Sequence, residues 1–342
     1  MHILQGAPAG QRARVPRLRR LLARGGEAAR CVVDSLLGSY AQILFSESRL
    51  VGAVLLLSTA TVPALFAGGA AAVLLAAGLV LLLGFDRCGL RAGLYGYNAL
   101  LLGLGSASLL RPGLPALALA AVAVLFSVLV TVMLQRVFNR GLNLPVLTLP
   151  FLASYYLLLG AARVLLLERL PAASPAPWLQ AWIPWPEAVL YLRSLGAIFF
   201  MPRVDSGLLF LLALALYSRL ALALSLLGFG FALGLLRLVD VAWDGILPIV
   251  VGFNFILVAV AVGRVWFPAG PTSLALALAA LLVSALLTLG LLPVMVRVGL
   301  PLLILPFNIT VLCLLYVMHF ARPGLTPTLS RPDPGQRQGA RS

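Results

Sequence analysis

The chain has 342 residues, 62% of them hydrophobic and only 10% charged, with a mean hydropathy of +1.06. A soluble chain carries roughly 45–50% apolar and about 25% charged residues, so too little polar surface exists here to cover a water-soluble globule. The formal charge of +15 comes wholly from arginine, because the sequence contains no lysine, a habit that fits a GC-rich bacterial genome.

Residues 1–30 form a basic segment that includes "QRARVPRLRRLLARGGEAAR". It reads as a cytoplasmic juxtamembrane tail that obeys the positive-inside rule and touches anionic lipid, not as a nucleic-acid arm or transit peptide. It holds no hydrophobic signal core with a small-residue cleavage site. The apolar stretches Val51–Leu83, Leu114–Leu134 and Leu274–Val296 each reach the length of about 20 residues that a spanning helix needs. No alternation of strand type runs through them, so a helical bundle is expected over a β-barrel. Residues 31–168 read as a first transmembrane repeat. Residues 169–187, "RLPAASPAPWLQAWIPWPE", form a Pro/Trp-rich linker suited to the membrane interface, and 188–320 form a second repeat. Residues 321–342 are Pro-, Gly- and Arg-rich and are expected to be disordered. Cys31, Cys88 and Cys313 are widely separated and His2 and His319 stand alone, so no metal or other cofactor is implied.

The repeat rests on motifs that recur at one offset. "LPVLTLPF" ends at Phe151 and "LPLLILPF" at Phe307, 156 residues apart. "GLYGYNALLLGLG" and "IVVGFNFILVAVAVG" align Asn98 with Asn254, again at 156. "SYAQILFSESRLVG" and "SLGAIFFMPRVDSG" align Phe45 with Phe200 and Gly52 with Gly207 at 155. An odd number of crossings per half makes the second half enter from the opposite side, giving an inverted repeat about an axis in the membrane plane. Both arginine-rich tails then fall inside. Gly96–Tyr97–Asn98 and Gly252–Phe253–Asn254 are expected to start short half-helices, since non-helical backbone at membrane depth is tolerated where it lines a cavity or is buried in protein.

These blocks resemble the urea transporter family of bacteria and vertebrates over nearly the whole span from Cys31 to Phe320. The resemblance implies an all-α integral membrane protein, with two inverted five-helix repeats and re-entrant half-helix segments enclosing one pore per protomer. It also implies a homotrimer and a passive channel for urea or a similar small neutral solute, in a bacterial inner membrane with both termini cytoplasmic. Membrane lipid is an expected partner and nucleic acid is not.

Urea is flat and neutral, with four N–H donors and one carbonyl acceptor, and each buried hydrogen bond that it loses costs about 1–3 kcal/mol. A slot of aromatic faces edged with polar groups suits it. The family resemblance assigns such slots to Phe45, Tyr97 and Leu101 in one half and to Phe200, Phe253 and Leu257 in the other. It assigns polar roles to Gln42 and Glu47 near the mouths and to Thr148 in the middle. The second half departs from that pattern, with Ala197 opposite Gln42, Pro202 opposite Glu47 and Ile304 opposite Thr148. One polar set remains along the path in place of two. The alternatives are the same fold conducting ammonia, a short amide or water, or a proton-coupled transporter with Glu47 as its one plausible relay residue. A membrane enzyme is not expected. The charge clusters Asp86/Arg87, Glu187/Arg193 and Asp240/Asp244 sit at predicted loop ends without a nucleophile–base or metal-ligand constellation.

Overall fold

The computed structural model describes residues 30–170, 177–240 and 245–320. The basic tail over 1–29, the C-terminal tail over 321–342, the middle of the linker and Asp244 lie outside them, so the expectations placed there are not addressed. Among the described residues the chain is helical, with a single isolated bridge between Leu110 and Arg169 and no strand.

In the first half, α1 covers residues 30–42 and α2 is Arg49–Ala60, capped by the Ser48 hydroxyl. Then come α3 (Pro63–Leu82), the single turn α4 (Arg87–Arg91), α5 (Tyr97–Leu109), α6 (Leu114–Val137) and α7 (Leu149–Val164). After the short α8 (Pro177–Gln180), the second half runs through α9 (Pro186–Ala197), α10 (Val204–Tyr217) and α11 (Arg219–Leu238). It ends with α12 (Ile246–Val260), α13 (Pro271–Val298) and α14 (Leu305–His319). The apolar run Val51–Leu83 is two helices, not one. It breaks at Thr61–Val62 because Pro63 starts α3, where a missing N–H is harmless.

Five segments are long and apolar enough to cross a membrane: Pro63–Leu82, Leu114–Val137, Arg219–Leu238, Ile246–Val265 and Pro271–Val298. The shorter apolar helices come in two pairs, α2 with α10 and α7 with α14, and their starts lie 155 and 156 residues apart. Burial separates the layers. The Ile246–Val265 segment is 83% buried, whereas α6 and α13 are 28% buried and expose Leu117, Phe126, Leu282 and Leu286. Such apolar faces are costly in water and at home in hydrocarbon, so α6 and α13 form the outer, lipid-facing wall. The inner wall is α5 and α12, which carry the fully buried Asn98 and Asn254. The halves interlock through α2 against α10 and through Tyr40, whose ring lies edge-on to Phe199 with centroids 5.6 Å apart.

Left-handed backbone recurs in step with the sequence offset. Phe45 (φ 55°) pairs with Phe200 (φ 61°), Gly84 (71°) with Asp240 (50°), Asn143 (48°) with Gly299 (67°), and Leu147 (49°) with Leu303 (48°). Bulky residues are uncommon at positive φ, so their pairing at 155 or 156 residues is a strong sign that both halves break their helices at the same places. Gly93 (φ 78°) has no such partner. A Cβ there would also run into the Gly38 and Ser39 backbone. This turn separates α4 from α5, whereas α12 runs unbroken through the corresponding stretch. Gly252–Phe253–Asn254 therefore lies inside a helix and does not start a short one, unlike Tyr97 at the first turn of α5.

Candidate functional site

Two motifs share one offset because they bond to each other. Asn98 donates through Nδ2 to the Leu147 carbonyl at 3.3 Å and accepts the Phe151 N–H on Oδ1 at 3.1 Å. Asn254 repeats this with Leu303 at 2.7 Å and Phe307 at 3.1 Å. Each asparagine thus satisfies a carbonyl and an N–H on either side of a left-handed residue, where the helix pattern has failed. Pro150 and Pro306 sit in the first turns of α7 and α14, where no intrahelical donor is lost. Pro145 and Pro301 precede them in non-helical backbone. The glycine of each Gly-aromatic-Asn is there for contact, because a Cβ at Gly96 or Gly252 would strike the hydroxyl of Ser39 or Ser194. The two copies differ at the aromatic. Tyr97 donates its hydroxyl to the Leu147 carbonyl as well, and Phe253 has none to give.

One cavity of about 2190 Å³ runs between the halves, and it is lined by every position singled out in the sequence: Gln42, Phe45, Glu47, Tyr97, Leu101, Thr148, Ala197, Phe200, Pro202, Phe253, Leu257 and Ile304. The two left-handed phenylalanines each cross to the opposite half. Phe45 packs against Trp266 and Phe307, with centroids 6.2 and 6.5 Å away. Phe200 packs against Phe151 and Tyr155, at 6.0 and 5.6 Å. Tyr155 in turn donates its hydroxyl to the Gly105 carbonyl at 3.2 Å.

The polar positions are unequal, as the departures suggest. Gln42 donates Nε2 to the Ala92 carbonyl at 3.0 Å, which ties α1 to the turn at Gly93 and leaves Oε1 as an acceptor at the cavity wall. Glu47 is exposed on that wall, while the neighbouring Arg49 is bound to Asp34 at 2.8 Å. Around Ala197 and Pro202 the polar groups are different. Arg203 holds Asp205 through two bonds of 2.9 and 2.5 Å, and Arg193 Nε donates to the Pro202 carbonyl at 3.2 Å.

Thr148 and Ile304 are the N-caps of α7 and α14, so two helix N-termini, with their partial positive charge, meet the cavity wall. Thr148 does not bond to its own helix. Its N–H donates to Asn308 Oδ1 at 3.1 Å, and its hydroxyl oxygen accepts from Asn308 Nδ2 at 2.7 Å. Sequence reasoning missed Asn308, although a signal was present. It directly follows the second motif, where the first copy has Leu152, and an asparagine in an apolar helix needs partners. Trp266 and Tyr155 were also missed, and their counterparts in the other half are not aromatic.

The clusters weighed for enzyme chemistry have structural duties. Asp86 caps α4 by accepting from the N–H groups of Cys88 and Gly89 at 3.1 and 2.6 Å. Glu187 pairs with Arg237 at 3.2 Å, leaving Arg193 to Pro202, and Asp240 closes α11 in a left-handed turn. Compared with known families, residues 33–319 match the family model described as Urea transporter. No curated protein matches the chain.

Proposed function

The chain belongs to the urea transporter family, and we propose that the cavity between its two halves is the path that urea takes. Membership makes the protein a passive urea channel of the membrane and not an enzyme. The observation that carries the path is that twelve positions, chosen from the sequence for other reasons, line one continuous cavity. On this reading Phe45 with Phe253 and Leu257, and Phe200 with Tyr97 and Leu101, are the slots that accept a flat solute. Gln42 and Glu47 receive its N–H groups at the mouths, and Thr148 meets it in the middle. The two helix N-termini oppose a cation there, which suits a neutral solute over ammonium.

The paired left-handed residues and the paired asparagine clamps support a duplicated architecture, which we read as two inverted five-helix repeats over 31–168 and 188–320. The arginine-rich tails support cytoplasmic termini and contact with anionic lipid. A bacterial inner membrane follows from the arginine-only composition, and a homotrimer from the family resemblance. The test is stopped-flow light scattering on vesicles containing the purified protein. Urea should equilibrate faster than across bare lipid, with no ion gradient and no change when proton or sodium gradients are dissipated. Urea flux that vanishes on dissipating either gradient would refute the passive channel.

A further inference from the structure

Resting on the reading that urea crosses this cavity, the geometry points to Asn308 as the residue that decides what the pore centre demands of a solute. It holds the Thr148 hydroxyl so that its proton is offered to the permeant, and it thereby selects for a carbonyl oxygen.

Asn308 is fully buried and its amide is fixed by three bonds. Nδ2 donates one hydrogen to Thr148 Oγ1 at 2.7 Å and the other to the Ile304 carbonyl at 2.8 Å, while Oδ1 accepts the Thr148 N–H at 3.1 Å. A flipped amide would set a carbonyl against the Ile304 carbonyl and an NH₂ against the Thr148 N–H, so only one orientation satisfies the network. A hydroxyl has one donor and two lone pairs. With one lone pair taken by Asn308, the Thr148 proton remains, and it has no acceptor among the described residues. The nearby carbonyls are occupied: Leu147 by Tyr97 and Asn98, Leu303 by Asn254, and Ile304 by Asn308.

A permeant carbonyl at this point therefore satisfies an otherwise unmet donor. A permeant N–H only adds to an oxygen that already accepts. The counterpart positions in the other half are Ile304 and Leu152, so this donor occurs once. A solute that uses it must turn its carbonyl towards the start of α7 on every passage.

Urea and thiourea separate this idea from simple pore shape. Both are flat with four N–H groups, but thiourea presents sulfur, a weak acceptor, where urea presents oxygen. The experiment measures urea, thiourea and osmotic water permeability of the full-length protein in vesicles. Asn308→Ser is the first variant, because a serine can still bond the carbonyl four residues back on its own helix but is too short to hold Thr148. Its urea-to-thiourea ratio should fall about 5- to 10-fold, the scale of one hydrogen bond, with water permeability unchanged. In a Thr148→Val background the same substitution should leave the ratio where Thr148→Val alone put it.

Should Asn308→Ser fail to fold, Thr148→Ser against Thr148→Val decides instead, with the hydroxyl-bearing variant keeping the wild-type ratio and the valine losing it. An unchanged ratio in Asn308→Ser, or an equal fall with and without the Thr148 hydroxyl, would overturn the role of Asn308. A wild-type protein that conducts no urea would instead overturn the proposed function on which it rests.

Discussion

Phe200, from the second half of the chain, lies edge-on to Phe151 of the first, with ring centroids 6.0 Å apart and planes at 70°. Gly105 leaves room for that ring. A Cβ at Gly105 would sit 2.9 Å from Phe200 Cζ and 2.7 Å from Tyr155 Cε2, so the slot depends on a missing methyl group.

Gly105→Ala should therefore push Phe200 into the path, at a stability cost of about 1–3 kcal/mol for overpacking. Urea flux should fall, and Gly105→Ala with Phe200→Leu should recover part of it. Vesicle flux alongside thermal unfolding in detergent checks this. Normal urea flux in Gly105→Ala would mean that the Phe200 ring does not border the path.

The asparagine clamps predict a ranking. Asn98→Ala leaves the Phe151 N–H without its partner, while the Leu147 carbonyl keeps Tyr97. Asn254→Ala strands both the Phe307 N–H and the Leu303 carbonyl, because Phe253 has no hydroxyl. At about 1–3 kcal/mol for each buried unsatisfied group, Asn254→Ala should be the more destabilising by that amount. Adding Tyr97→Phe to Asn98→Ala should close the gap. Unfolding midpoints would contradict the account if Asn98→Ala proved the worse.

Thr148→Val should lower urea flux roughly 5- to 150-fold if its hydroxyl acts at the barrier top, since one hydrogen bond is worth about 1–3 kcal/mol and each ~1.4 kcal/mol is tenfold in rate. Ile304→Thr by itself adds a hydroxyl without an asparagine to orient it. Joined with Leu152→Asn, it should build the second copy of the pair and speed urea relative to less polar amides. Equal urea flux in the wild type and Thr148→Val would mean that the hydroxyl faces away from the solute.

Gln42→Ala should reduce both stability and urea flux, because the side chain ties α1 to the Ala92 carbonyl as well as lining the cavity. Ala197→Gln has no such turn to hold, since α12 is continuous, and its amide should instead remain free to bind urea more tightly. Equilibrium binding and flux on the same preparations separate the two effects. If neither variant changes urea binding, Gln42 and position 197 are not part of a slot.

Much of this was legible in the sequence. Composition alone required a membrane, because 62% apolar residues cannot be covered by so few charges. The repeated motifs at 155 and 156 residues pointed to the paired breaks that appear as left-handed backbone at Phe45, Phe200, Leu147 and Leu303. Glycine, proline and asparagine carry strong local backbone preferences, so their spacing survives as a readable signal even in a chain dominated by leucine and alanine.

What the tertiary structure decided was which groups meet. That Asn98 clamps Phe151, that Phe200 crosses to the first half, and that Asn308 reaches Thr148 from 160 positions away are contacts between distant segments. No local preference encodes them. The continuous α12, where a second broken segment was expected, has the same origin. Gly93 supplies a left-handed turn in one half, and the corresponding residue of the other, Ile249, is helical and fully buried. Sequence periodicity fixed where the helices break. Side-chain reach across the packed halves fixed which polar atoms are left to face a solute.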